Sequence, residues 1–331
     1  VIFKVRGVLM YERSRIEVVT LGETMIRFSS KVGIRLEKAQ QVDVEIGGTE
    51  SNVAVALARL GVASGWISKL VDNPWGFRIA GELRLHGVDT SRIIWTQDGR
   101  VGTMFFEPGA KPRPAEVIYD RANSAASTMG FDELDLDYIL AARHVHLTGI
   151  TMALSGSCRE MVKKVAAEMR RAGKTVSFDV NYRQKLWMPE EAKMAVDEVL
   201  SDVNLLISTL DDVRKVFGLT VNPEEACRKL HETYGCPWVI ITMGGAGAIG
   251  FFDGEIKQVG GYEVEPVDRV GAGDAFAAGA IYGFLQDSPD ISLKYGIALA
   301  ALKHTIFGDQ SYLGIRDIER LLAAGGSDIQ R

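Results

Sequence analysis

Asp268-Arg269-Val270-Gly271-Ala272-Gly273-Asp274-Ala275-Phe276, running on into Ala277-Ala278-Gly279-Ala280, is the stretch that decides how this chain is read. Glycines followed by a run of small residues describe a loop that turns straight into a helix. The amides of such a loop converge. The first turn of the helix adds unpaired N–H groups and a positive dipole end, so an anion is welcome there. A carboxylate planted in the same place, Asp274, does not suit a site that only holds an anion. It fits if Asp274 takes a proton while the amides hold the charge that develops beside it. The plainer alternative is a buried helix whose first-turn carboxylate serves the macrodipole. The motif alone leaves both open.

The 331 residues suit about two domains or one large α/β domain with an appendage, and 47% hydrophobic with 24% charged residues is ordinary globular composition. A formal net charge of -5 gives no reason to expect nucleic acid or an acidic membrane as partner. Cys158, Cys227 and Cys236 are scattered and odd in number, so neither a disulfide framework nor a metal pair is indicated, and a reducing cytoplasm is the simplest setting. No apolar run has the length of a membrane-spanning helix. The opening Val1–Met10 is broken by Lys4 and Arg6, and no small-residue cleavage site follows it. A signal peptide is therefore not expected.

Working back from the glycine loop, Ile16–Leu21 reads as a first core strand, and residues 24–46 and 98–121 alternate like strands exposed on one face. Those two stretches are expected to form one small sheet over a site. Gly47-Gly48-Thr49-Glu50-Ser51-Asn52 leads into a small-residue helix, Val53–Leu60, followed by a strand over Ser64–Leu70 and a helix over Gly76–His86. From His144 the rhythm is βαβα: strands at His144–Leu147, Thr175–Val180, Asn204–Ser208 and Trp238–Met243, with helices at 155–172, 189–201, 210–217 and 223–234. Short, β-branched strands of this kind belong to a parallel sheet covered on both faces. A DG-turned hairpin over Phe251–Ile256 and helices after Asp268, at 291–306 and at 315–324 complete the chain. The fold class is α/β, with residues 16–322 as one large unit.

Several motifs need weighing. Gly245-Ala-Gly247-Ala-Ile-Gly250 matches GxGxxG, but a dinucleotide fingerprint needs a helix next and a hairpin follows, so the dehydrogenase reading fails. His144 and His146 face the same side of a strand, and without a third ligand at a supporting spacing they read as core histidines. Asp179-Val180-Asn181-Tyr182-Arg183 ends a strand, where ligands bind in open α/β sheets, and Asn181 and Arg183 are candidate contacts. Tyr119 and Arg121 end the second alternating stretch, and an arginine there forks onto a carboxylate or phosphate.

Taken in order, GGxxxN before a small-residue helix, DVNYR at a strand end, T-x-G-x-x-G at 242–247 and DxxGAGD resemble the ribokinase-like (PfkB) sugar kinases over residues 16 to about 322. Within that family the likeness is nearest to 2-keto-3-deoxygluconate kinases, on Gly22-Glu23, Tyr119-Asp-Arg121, Thr148-Gly-Ile-Thr151 and Asp179–Trp187. The resemblance implies a three-layer α/β/α core with a mainly parallel sheet and a β lid. It implies Asp274 as general base, with the amides of Gly271, Ala272 and Gly273 as anion hole. Gly48 and Asn52 would line the sugar, and Tyr119 and Arg121 would close over it. Arg183 would hold its acid end, and Asp309 would touch it. Asn181, Ser208, Thr242, Gly244 and Gly247, with Gly271 and Gly273, would border ATP, and Mg2+ would be carried mainly by the nucleotide.

The chain departs from the family pattern in two places. Where relatives have NxxE it reads Ser208-Thr209-Leu210-Asp211, so Asp211 is the candidate metal ligand with a shortened carboxylate. Arg269 is bulkier than the usual residue inside DxxGAGD. Two arginines at substrate positions point to an acid sugar. Fructokinase or ribokinase activity, or a non-catalytic sugar or nucleotide sensor, are the other readings. Exposed sheet edges on the lid lead to the expectation of a homo-oligomer.

Overall fold

The computed structural model describes residues 2–5, 8–11 and 16–324, so the opening segment read above for a leader falls partly outside it. A short hairpin, β1 (Ile2–Val5) and β2 (Val8–Tyr11), precedes β3 (Val18–Leu21), β4 (Met25–Ser29) and β5 (Asp43–Gly47). Next come α1 (Thr49–Arg59), β6 (Ser64–Ile67), β7 (Lys69–Val71), α2 (Pro74–Leu85), β8 (Ile94–Thr96), β9 (Thr103–Glu107) and β10 (Glu116–Asp120). The alternating half holds α3 (Leu136–Ala141), β11 (His144–Thr148), α4 (Gly149–Leu154), α5 (Gly156–Arg171), β12 (Thr175–Asp179), α6 (Pro189–Asp197) and β13 (Leu205–Thr209). It continues through α7 (Leu210–Phe217), α8 (Pro223–Tyr234), β14 (Trp238–Thr242), β15 (Ala248–Phe252) and β16 (Glu255–Val259). The chain closes with α9 (Ala272–Phe284), α10 (Pro289–Lys303) and α11 (Ile315–Ala324).

Eight strands form one sheet in the order β16-β15-β14-β13-β12-β11-β3-β6. β14 through β6 are parallel, and the β15–β16 hairpin adds to one edge antiparallel. Its two turn residues, Asp253 and Gly254, both have positive φ, as a two-residue hairpin loop of matching twist requires. A second sheet, in the order β10-β9-β4-β5, gathers the two alternating stretches.

The period-two side chains explain the layers. Val145, Leu147, Val176 and Phe178 point into a core shared with α5, α6, α7 and α8. Val18, Leu205 and Ile207 point the other way, into a core with α1, α9 and α10. On this second face β11 and β12 present His144, His146 and Ser177, and Ser177 Oγ bridges His144 Nε2 (2.7 Å) and His146 Nδ1 (2.9 Å). Burial pushes both imidazoles down to about 3, so both are neutral core residues. Among the described residues no group of three or more His, Cys, Asp or Glu is placed to hold a metal ion.

Local signals set the helix ends. Asn73, Ser155, Thr209, Asn222 and Ser288 each accept a first-turn N–H, and Gly218 and Gly235 close α7 and α8 in the left-handed region. Where α9 crosses α10, a Cβ on Gly279 would press on the Gly296 backbone at 2.6 Å, so the small-residue run is what lets the two helices touch.

The strand read over Ser64–Leu70 is broken, because Lys69–Val71 leave the main sheet to pair with β8. Helix α1 starts at Thr49 rather than Val53, and the helix read over 189–201 ends at Asp197. No described helix is long and apolar enough to cross a membrane.

Candidate active site

Because β3, β11, β12, β13 and β14 are parallel, their carboxyl ends open on one edge of the sheet. Glu23, Thr148, Asp179, Thr209 and Thr242 all lie at that edge, within or just past their strands. The loop ahead of α9 comes to the same place. Gly271, with φ 81° and ψ -3°, is the N-cap of α9. A Cβ there would collide with the carbonyl oxygen of Asp309, so glycine is demanded twice over. Ala275 N–H donates to Gly271 O at 2.9 Å, which leaves the amides of Ala272, Gly273 and Asp274 upstream of that bond.

Asp274 is buried, and Asn52 Nδ2 donates to its Oδ2 at 2.7 Å. Burial raises its pKa, while Asn52, Arg183, the Thr49 hydroxyl and Lys303 hold the rise in check. A carboxylate lifted in this way is a better proton acceptor than one in water. Asn52 Oδ1 is buried with no partner, an acceptor left open beside the carboxylate.

The small sheet contributes from above. Arg121 Nε (2.7 Å) and Nη2 (2.5 Å) both meet Glu23 Oε2, so this arginine is already compensated within the chain. Arg183 is exposed on the loop after β12, and its charge acts on Asp274, Asp179 and Asp212. Only Arg183 therefore keeps the character expected of both. Lys185, which sequence reasoning missed, donates to Val117 O at 2.9 Å and lies 5.8 Å from the Tyr119 ring, opposite in origin to Arg121 at 5.9 Å. Its place two residues after Arg183 was the available signal.

Near Asp274, Asn181 takes an unusual φ of 39° and folds back on Asp179, its N–H donating to Oδ1 at 3.1 Å and its Nδ2 to Oδ2 at 3.3 Å. Burial, then Asp212 and Asp274, push Asp179 up to about 8. Asp212 is raised mainly by burial and accepts Tyr182 N–H at 3.3 Å. Asp211, read above as the metal ligand, instead lies exposed and pairs with Lys215 at 2.7 Å. The inward carboxylate of this turn is the next residue, because Asp212, Val213 and Val216 form the buried stripe of α7. Ser208 is buried, its hydroxyl on the Thr209 carbonyl, so Thr209 is the exposed residue at the end of β13. Thr242 ends β14, and Gly244 (φ 58°) and Gly247 (φ 97°) shape the turn after it. The strand β15 follows, in keeping with the rejection of a dinucleotide fingerprint.

Two further residues went unnoticed in the sequence. Glu50 is fully buried and accepts from the Thr148 (2.6 Å) and Thr151 (2.5 Å) hydroxyls, and burial pushes it up to about 7. Arg27, in β4, forks onto Asp268 and Asp309. Asp309, read as a substrate contact, thus gives Oδ1 to an internal ion pair, and its Oδ2 packs against Gly47. Arg269 lies exposed.

A glycine-led loop at a helix start and a buried carboxylate beside it lie at one edge of a parallel sheet, an arrangement suited to holding an anion and accepting a proton. The pfkB family carbohydrate kinase profile matches residues 15–313, and the chain belongs to that family. It is 39% identical to the 2-dehydro-3-deoxygalactonokinase of Haloferax volcanii, over 95% of this chain and 99% of that one. The crystal structure of 2-dehydro-3-deoxygluconokinase from Thermotoga maritima superposes with a TM-score of 0.89 at 36% identity, covering 95% of this chain and 100% of the other. A candidate ribokinase II of E. coli, solved with ATP and Mg2+, reaches a TM-score of 0.85 at 25% identity, over 93% and 99% of the two chains.

Proposed function

We propose that this carbohydrate kinase transfers the γ-phosphoryl group of ATP to the terminal hydroxyl of 2-keto-3-deoxygluconate, giving the 6-phosphate. The observation that carries the reading is Asp274, buried at the start of α9, raised in pKa and held by Asn52. Its carboxylate takes the proton of the 6-hydroxyl as that oxygen attacks the γ-phosphorus, and ADP departs in line. The amides of Gly271, Ala272 and Gly273 hold the charge on the group in flight. Gly48 and the open Oδ1 of Asn52 receive the sugar, and Tyr119 and Arg121 close over it with the small sheet as lid. Arg183, exposed and close enough to act on Asp274, meets the substrate carboxylate. The nucleotide lies along Asn181, Thr242, Gly244 and Gly247.

Magnesium fits this donor set. Asp179 and Asp212 are buried carboxyl groups, the charge of Asp212 acting on Asp179, and Mg2+ is typically held by one or two carboxylates together with substrate phosphates. When bound, it neutralises the phosphate charge. The galactonate epimer is accepted too: relatives carrying either name are similar over nearly the whole chain, and one inverted hydroxyl is a small difference to discriminate. A cytoplasmic homo-oligomer is the form we expect, with the exposed Val32, Ile34 and Ile118 on and beside the small sheet supporting self-association.

The test is ADP release with Mg-ATP across 2-keto-3-deoxygluconate, its galactonate epimer, gluconate, fructose, ribose and a nucleoside. Turnover confined to the keto-deoxy acids supports the reading. A preference for fructose or ribose removes the acid-sugar part, and silence on all sugars with ATP bound would leave a sensor.

A further inference from the structure

The side chain of Arg27 is fully buried, yet its strand, β4, belongs to the small sheet. Its Nη2 donates to Asp268 Oδ2 at 2.7 Å and its Nη1 to Asp309 Oδ1. The guanidinium lies 4.0 Å from the centre of the Phe106 ring of β9, and Glu45 of β5 faces its Nε at 3.6 Å. Asp268 is the residue that starts the glycine loop. Its Oδ1 accepts Val270 N–H at 3.0 Å and its Oδ2 accepts Gly308 N–H at 3.2 Å. Asp309 packs its carbonyl oxygen against Gly271. One guanidinium therefore touches three strands of the small sheet, the loop that shapes the anion hole and the segment that backs it. Only a planar fork reaches two separate carboxylates in this way.

We infer that Arg27 is a positioning residue that couples the small sheet to the anion hole, so that the sheet's closure over the sugar sets the amides of Val270–Gly273 in their working places. A buried ion network of this kind is a costly way to gain stability alone. Gly47 at the end of β5 also packs against Asp309, but Arg27 is the side chain that ties β4, β5 and β9 to Asp268 at the head of the loop. The inference rests on the carbohydrate-kinase class and not on which sugar is used.

The experiment compares wild type, Arg27→Lys and Arg27→Ala, with whichever sugar wild type turns over fastest. Arg27→Lys keeps a cation and loses the fork. We expect its kcat per folded molecule to fall at least tenfold while its Kd for ATP stays within about twofold, since the loop and not the nucleotide shelf is displaced. Amide exchange should quicken at Val270–Gly273 and stay unchanged in β11–β14. Millimolar guanidinium should restore kcat to Arg27→Ala. Wild-type kcat in Arg27→Lys, a uniform rise in exchange, or guanidinium that restores the melting temperature without kcat would each overturn the inference.

Discussion

Asn52 and Asp274 stand 222 positions apart in the chain and 2.7 Å apart in space, with Asn52 Nδ2 donating to Asp274 Oδ2. This bond joins the first turn of α1 to the first turn of α9, two helices that bury their apolar sides in one core. It fixes which oxygen of the carboxylate Asn52 engages, and it leaves Asn52 Oδ1 buried without a partner. The proposed base is thus oriented by the same side chain that lines the proposed sugar site.

Asp274→Asn removes proton acceptance and keeps shape and hydrogen-bonding capacity. Turnover should fall by about 10²-fold or more, the usual scale for a general base, while ATP and sugar still bind. Steady-state kinetics with calorimetric titration of ATP check this. Turnover near wild type would remove Asp274 as the base.

Arg183→Ala should raise KM for the acid sugar far more than for fructose, since Arg121 is already neutralised by Glu23 and does not substitute for it. Arg183 also holds down the pKa of Asp274. The acid limb of the kcat/KM profile should therefore move to higher pH in Arg183→Gln, because the base loses a nearby cation that favours its charged form. Equal KM effects on both sugars, or an unmoved limb, would count against a carboxylate at Arg183.

The parallel sheet was legible because β-branched strands at His144, Thr175, Asn204 and Trp238 alternate with amphipathic helices, a pattern few other folds share. The placing of Asp274 at the start of a helix behind a glycine loop was legible because the glycines and the acid occupy one short stretch. What stayed hidden depended on facing. Adjacent Asp211 and Asp212 differ by about 100° around a helix, and only the apolar stripe of α7 tells which turns inward. Arg121 and Glu23, or Arg27 with Asp268 and Asp309, are separated by roughly a hundred residues or more, and no spacing rule reports such pairs. The sequence counted Arg121 as a free cation for the same reason.

Exchanging the two neighbouring acids tests that facing. Asp211→Ala breaks an exposed pair with Lys215 that water and salt already screen, and activity should stay within about twofold. Asp212→Asn should raise the Mg2+ concentration needed for half-maximal rate by about tenfold, as removal of one of few protein carboxylates near a phosphate-bound ion would. Magnesium titration of both variants decides. A larger effect at Asp211 would return the metal role to the outer residue.

Stability should follow two opposed titrations. His144 and His146 are held near 3, far below the ordinary ~6.5, so between these values the unfolded chain binds protons that the folded chain refuses. Their contribution is whole above about pH 6.5 and is lost as pH falls toward 3, with a slope of up to about 2.7 kcal/mol per pH unit where both act. Glu50, near 7, and Asp179, near 8, are raised instead. Their favourable contribution is whole below the ordinary carboxylate range, and it is lost as pH rises through their folded values, because ionising them leaves a charge in the core. Glu50→Gln keeps an acceptor for Thr148 and Thr151 and cannot ionise. It should therefore raise the melting temperature more at about pH 8 than at about pH 5, while His146→Leu should flatten the loss of stability on the acid side. Equal shifts for Glu50→Gln at both pH values would mean that this carboxyl carries the same charge throughout, and that its burial does not set the alkaline limit.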